Sequence, residues 1–123
     1  MDKIALAARV LLSAIFLRAG YSKLMAPAAT VSMITHRGFP VPTMAYVVAV
    51  CVELAGGALV LLGYRTRWAA AALAAFCLVT AFWVHFHPDD PGQMIHFWKN
   101  VAIAGGFLQL VATGPGRLSL STR

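Results

Sequence analysis

The stretch Met44-Ala-Tyr-Val-Val-Ala-Val-Cys-Val-Glu-Leu-Ala-Gly-Gly-Ala-Leu-Val-Leu-Leu62 decides the fold, because it is a long apolar run with a single acid, Glu53, near its middle. A helix of this length is suited to cross a hydrocarbon core of about 30 Å. An ionised carboxylate at that depth is costly unless water or a partner group meets it. Glu53 is therefore expected to face a polar site inside a bundle of helices.

The composition of the chain is that of an integral membrane protein. Of its 123 residues, 60% are hydrophobic and only 11% are charged, and the mean hydropathy is +0.76. A soluble domain would need more charge on its surface. The sequence predicts one all-α domain over residues 1–123, a transmembrane four-helix bundle with antiparallel neighbours. The expected spans cover about 4–24, 44–62, 68–86 and 96–113.

A short helix is expected between the first two spans, lying in the membrane interface. Pro27 is well placed to begin it and Gly38 to end it, before the Phe39-Pro-Val-Pro42 segment. Its mixture of apolar and polar residues is typical of an interfacial helix rather than of a span. This helix is predicted to cover one mouth of the bundle.

The distribution of basic residues predicts both partner and orientation. The formal net charge is +6, but the basic residues are scattered at span ends without a dense run. Anionic lipid headgroups therefore explain the charge better than nucleic acid does. The side that carries both termini and the central loop holds more Lys and Arg than the other, which predicts a multi-pass cell-membrane protein with both termini in the cytoplasm. The residues on that side are Lys3, Arg65, Arg67, Arg117 and Arg123.

Cysteines and histidines give weaker signals. Cys51 and Cys77 lie in neighbouring spans at similar depth and could meet, but packing is their default role. A metal is not predicted, because the spacing of the potential ligands matches no established site. Those potential ligands are His85, His87, His96, Asp89 and Asp90.

Polar groups from all four spans fall in the outer half of the predicted bundle. At about 1.5 Å of rise per residue, Glu53, Arg18 and Lys99 lie below the outer ends of their spans, and His85 lies near the end of its own. We therefore expect one polar pocket that opens outward under the interfacial helix. In the first span, Lys23 and Arg9 can snorkel towards opposite interfaces, whereas Arg18 is deeper and most needs a counter-charge.

Two interpretations of Glu53 stay open at this level. It is either a proton-exchanging or ligand-binding carboxylate, or one half of an ion pair with Lys23, Lys99 or Arg18 that fixes helix register. Lys99 and the adjacent Asn100 are likewise either ligand-binding or helix-contact residues. Gln93, in the polar turn before the last span, joins the ligand-binding candidates.

The ordered motifs of the chain resemble the DoxX family of small four-helix membrane proteins. The resemblance rests on Gly20-Tyr-Ser-Lys23-Leu24, Glu53-Leu-Ala-Gly-Gly57, His85, Lys99-Asn100 and Gly114-Pro-Gly-Arg-Leu-Ser119-Leu120. The family pattern often continues as Ser-Leu-Asp, where this chain has Ser121, and it is usually apolar where this chain has Arg18.

The resemblance implies a membrane subunit of a redox system, because the family takes its name from a subunit of a thiosulfate:quinone oxidoreductase. A quinone or another lipid-like ligand would occupy the outer-half pocket around Glu53, and with a quinone, Glu53 or His85 would be the catalytic proton donor. No flavin, haem or iron–sulfur motif is present, so electrons would come from a partner subunit and no covalently bound cofactor is expected. The alternatives are a small-solute or proton-coupled transporter, which would need a homo-oligomer, and a structural or assembly protein.

Overall fold

The computed structural model describes residues 1–121, which contain helices and no β-strand. The prediction of an all-α fold is therefore confirmed for this part of the chain. We number the five helices α1 to α5 in chain order. They are α1 (Asp2–Met25), α2 (Pro27–His36), α3 (Pro42–Leu62), α4 (Thr66–His85) and α5 (Pro91–Thr113).

Three of these helices, α1, α3 and α4, are long and apolar enough to cross a membrane. The fourth long helix, α5, has 23 residues and shares its main interface with α4. Large apolar side chains such as Leu11, Val47 and Phe82 are more than half exposed on the outside of the bundle. Such a surface is suited to lipid, which cannot satisfy exposed backbone but accepts apolar side chains.

Helix α5 begins five residues earlier than the predicted start of the fourth span at His96. Asp90 caps it, because Oδ1 of its side chain accepts hydrogen bonds from the backbone N–H groups of Gly92 and Gln93 at 3.0 and 3.3 Å. Pro91 occupies the first helical turn, where its missing N–H is not needed. The polar residues there form a helix start and not an extended loop.

Glycines and alanines allow close contact in the core of the bundle. A Cβ atom at Gly57 would lie 3.1 Å from the Leu17 side chain of α1, and one at Gly106 would lie 3.2 Å from Leu12. Across the same core, Phe16 of α1 meets Phe107 of α5 edge to face, with ring centroids 5.4 Å apart. Gly57 and Gly106 thus allow close contact with α1, whereas a Cβ at Gly105 would meet no atom within 4 Å.

The start of α1 and the C-terminal segment around Leu118 meet at one end of the bundle, where Arg9 is completely buried. Its guanidinium donates hydrogen bonds to the carbonyls of Val60 and Leu61 at the end of α3, at 3.3 and 2.9 Å, and to the carbonyl of Leu118. A cation is favoured at a helix C-terminus, where carbonyls lack partners. The expectation that Arg9 snorkels to the interface is therefore wrong: Arg9 fastens the C-terminal segment to α3.

Helix α2 lies over the opposite end of the bundle, as the sequence predicted for this segment. The chain turns at Gly38, whose φ of +84° is accessible mainly to glycine. Beyond it, Phe39 packs on Trp83 with ring centroids 4.5 Å apart, and the indole N–H of Trp83 donates to the carbonyl of Arg37 at 3.0 Å. These contacts hold the α2 segment against α4.

Candidate ligand-binding site

A pocket of about 440 Å3 lies beneath α2, and all five helices contribute to its walls. Most of the lining is apolar, with a few polar groups at defined positions, which is the usual construction of a small-molecule site. Met33 and Ile34 of α2 lie along one side of it, so α2 covers the pocket as expected. The apolar lining also includes Ile15, Phe16, Ala49, Phe76 and Ile103.

Glu53 faces this pocket from a π-helical turn, Val52–Gly56, in the middle of α3. Its side chain is only 1% exposed, and its Oε1 atom lies 2.7 Å from Nζ of Lys23, whose side chain is 26% exposed. The geometry is that of a close ion pair rather than of an aligned hydrogen bond. Of the three cations considered from the sequence, Lys23 is therefore the partner of Glu53.

The ion pair depends on the close approach of α1 to α3 at Gly20. A Cβ atom at this position would lie 2.8 Å from Cγ of Leu54 and 3.2 Å from Cβ of Glu53. Because glycine has no Cβ, the backbone of α1 can pass directly beside Glu53. In addition, the hydroxyl of Tyr46 donates to the carbonyl of Lys23 at 3.0 Å, which ties the end of α1 to the start of α3.

The opposite wall carries a second polar group of residues, from α4 and α5. His85 ends α4 in another π-helical turn, Ala81–His85, and its Nδ1 lies 2.8 Å from Oε1 of Gln93. With the amide oxygen accepting from Nδ1–H, Nε2 is left as an acceptor. His96, whose ring centroid is 5.3 Å from that of His85, together with Lys99 and Asn100, also lines the pocket.

Most of the predicted site residues thus gather around one cavity. Glu53, Lys23, His85, Lys99 and Asn100 all line it. The remaining two candidates, Gln93 and Arg18, do not line the cavity. Gln93 contacts His85, which does, and Arg18 lies outside the pocket.

Arg18 is exposed on the outer face of α1 and does not line the pocket. The expectation that it does is wrong. At 100° per residue it stands on the side of α1 opposite to Arg9, and it is Arg9 that faces the interior. The depth of Arg18 along the helix suggested a buried site, but the direction of its side chain is outward.

The sequence does not indicate the two π-helical turns, and it does not decide between the two possible roles of the cysteines. The two π-helical turns arise inside uniformly apolar runs, where no residue pattern marks them. Cys51 is exposed on α3, whereas Cys77 is fully buried in the core beside Leu73, and both are free thiols. The two cysteines therefore form no disulfide with each other, and Cys77 packs in the core.

Comparison with known proteins identifies relatives of the whole bundle. The family model described as DoxX matches residues 4–86, which cover α1 from its third residue and all of α2 to α4. The inner membrane protein YphA of Escherichia coli strain K12 is 40% identical over 123 residues, covering 96% of this chain and 88% of its own. The inner membrane protein YqjF of the same strain is 36% identical over 115 residues, covering 94% and 87%. No solved structure matches significantly.

Proposed function

Since the chain belongs to the DoxX family and is an integral inner-membrane protein, we propose that it binds a quinone or a similar lipid-soluble ligand in the pocket around Glu53. The observation that carries this proposal is the pocket itself, a cavity of about 440 Å3 with apolar walls and a buried carboxylate. A quinone has the matching form, with a polar head that accepts hydrogen bonds and an apolar tail.

In this proposal the protein is the membrane subunit of a redox system. Reduction of a quinone to a quinol requires two electrons and two protons. A partner subunit would supply the electrons, since the chain has no motif for a redox cofactor of its own. Glu53 and His85 line the pocket and are the groups suited to deliver protons to the quinone oxygens.

We also propose that the end of the bundle that bears both chain termini faces the cytoplasm. The N–H of Arg117 donates to the Asp2 side chain at 3.2 Å, so the start of α1 and the segment around Arg117 lie at the same end of the bundle. The Lys and Arg residues of this end outnumber those of the other, as the positive-inside rule requires. The pocket beneath α2 would then open towards the periplasmic side.

Quinone binding can be tested with the purified protein in lipid nanodiscs, by titrating a short-chain isoprenoid quinone and following the quenching of tryptophan fluorescence. The variant Ala49→Phe fills the pocket, and Ala72→Phe adds the same ring on an exposed face of α4. We expect saturable quenching in the original protein and in Ala72→Phe, and none in Ala49→Phe. Equal quenching in all three, at equal thermal stability, would exclude the pocket as the quinone site.

A structural role for the Glu53–Lys23 pair is the second candidate. The 2.7 Å ion pair and the close contact at Gly20 both join α1 to α3. Together they can fix the register of these two helices. If this were the only role, replacing both charged residues with apolar ones would leave a folded protein that binds its ligand unchanged.

A further inference from the structure

The two polar groups of residues in the pocket differ in charge. On the α1 and α3 side, the carboxylate of Glu53 is balanced by Lys23. On the α4 and α5 side, Lys99 forms no ion pair with any carboxylate among residues 1–121. Its side chain is exposed and lines the pocket, so the ammonium is open to a ligand that enters the cavity.

The other acids of the chain cannot neutralise Lys99. Asp2 lies at the opposite end of the bundle, where it accepts from the N–H of Arg117. Asp90 caps the start of α5, and Asp89 lies in the exposed loop before it. Lys99 is eight residues into α5, about 12 Å from its first residue at 1.5 Å of rise per residue. The ammonium of Lys99 is therefore available to an anionic ligand from outside the chain.

The surroundings of Lys99 are arranged to receive a head group. His96, Lys99, Asn100 and Ile103 follow the spacing i, i+3, i+4 and i+7, so they form one stripe of α5 that faces the pocket. Donors from the ammonium and from the Asn100 amide thus lie on the same side of the cavity. His85 and His96 add polar ring atoms beside them and no negative charge.

We propose that the pocket ligand carries an acidic head group, a carboxylate or a phenolate, which pairs with Lys99 and accepts a hydrogen bond from Asn100. Its apolar body lies along Ile15, Phe16 and Ile103, which line the same cavity. This inference rests on the proposed function, because it assumes that the cavity takes a lipid-soluble molecule. It adds that the molecule is anionic when bound, as a fatty acid is or as a quinol becomes on losing a proton.

The test compares matched acidic and neutral ligands in nanodiscs of zwitterionic lipid. One pair is laurate and dodecanol, and the other is a short-chain quinol and its dimethyl ether. A charge-assisted hydrogen bond is worth roughly 1.5–3 kcal/mol, so we expect the acidic member of at least one pair to bind about tenfold to a hundredfold more tightly. Each ligand partitions differently into lipid. The decisive quantity is therefore the ratio of the acidic ligand's affinity to the neutral ligand's affinity, compared between the original protein and each variant.

The variants are Lys99→Met, which removes the ammonium, and Arg18→Met, which removes a cation from a comparable depth on the exposed face of α1. The acidic preference should disappear in Lys99→Met and persist in Arg18→Met. A preference confined to laurate identifies a carboxylate, and one confined to the quinol identifies a phenolate.

Two results would overturn the inference. If acidic and neutral ligands bind equally, or if Lys99→Met keeps the preference, the head group is not anionic, although the cavity is still a site for lipid-soluble ligands. If none of the four ligands binds, the proposed function fails as well.

Discussion

Replacing Lys23 with Met should destabilise the bundle more than replacing Glu53 with Gln. The Glu53 side chain is 1% exposed and that of Lys23 is 26% exposed, so the carboxylate depends on its partner more than the ammonium does. Breaking a buried pair by removing one member costs roughly 3–5 kcal/mol. We expect about 3 kcal/mol for Lys23→Met, because the carboxylate is left inside the bundle. For Glu53→Gln we expect about 1 kcal/mol, since the lysine can extend towards water.

The double variant Lys23→Met/Glu53→Gln measures how strongly the two residues stabilise each other, because it combines the same two substitutions. With both charges gone, neither is left unpaired, and the loss should be about 2 kcal/mol smaller than the sum of the single losses. The free energy of unfolding can be measured by titrating mixed micelles with sodium dodecyl sulfate and recording circular dichroism. Arg18→Met is the matched control on the same helix, expected to change stability by less than about 0.5 kcal/mol.

Additive losses would refute the reasoning, because they would mean that Lys23 and Glu53 do not stabilise one another. A larger loss for Glu53→Gln than for Lys23→Met would also refute it, since the exposures of the two side chains predict the reverse order. If the double variant is folded, its quinone titration decides between the two candidate roles of the pair. Unchanged quinone binding by the double variant would mean that the pair serves only to fix the register of α1 against α3.

Three further predictions concern the rest of the bundle. Arg9→Lys should cost about 2 kcal/mol of unfolding free energy, because a single ammonium cannot reproduce the fork of donors that reaches both α3 and the C-terminal segment; equal stability would contradict this role. Gly20→Ala should cost about 2 kcal/mol by overpacking against Leu54, whereas Gly105→Ala, which meets open space, should be neutral or slightly stabilising; the same denaturation assay distinguishes them. Fluorescent-protein and alkaline-phosphatase fusions to the C-terminus should report a cytoplasmic end, and an active phosphatase would reverse the proposed orientation.

The sequence predicts which residues of α1 share one side of the helix, but not which side turns to the interior of the bundle. At 100° per residue, Arg9, Phe16 and Lys23 share one stripe and Arg18 lies opposite. All three members of the stripe contact the interior, so the periodicity was a sound guide. Depth along the helix gave the wrong answer for Arg9 and Arg18. The acceptors of Arg9 are backbone carbonyls of α3 and of a segment more than a hundred residues away, which a sequence pattern cannot bring together.

The polar residues of the pocket were easier to anticipate, because each is unusual in an apolar span. Glu53, Lys99 and Asn100 stand out by composition alone, and the short connections 63–65 and 86–90 keep α4 beside both α3 and α5. The choice of Lys23 over Lys99 as the partner of Glu53 depends on the approach of α1 at Gly20. That approach is a property of packing and not of any one segment.

The π-helical turn at Val52–Gly56 bears on how related chains should be compared. Such a turn holds one residue more than a regular helix does. In a homologue that lacks the additional residue, the part of the helix after the deletion would be rotated by about 100° relative to the part before it. Its glutamate could then align perfectly in sequence with Glu53 and yet point at lipid. A one-residue deletion within this span is therefore a stronger indication of altered function than many substitutions in the lining of the cavity.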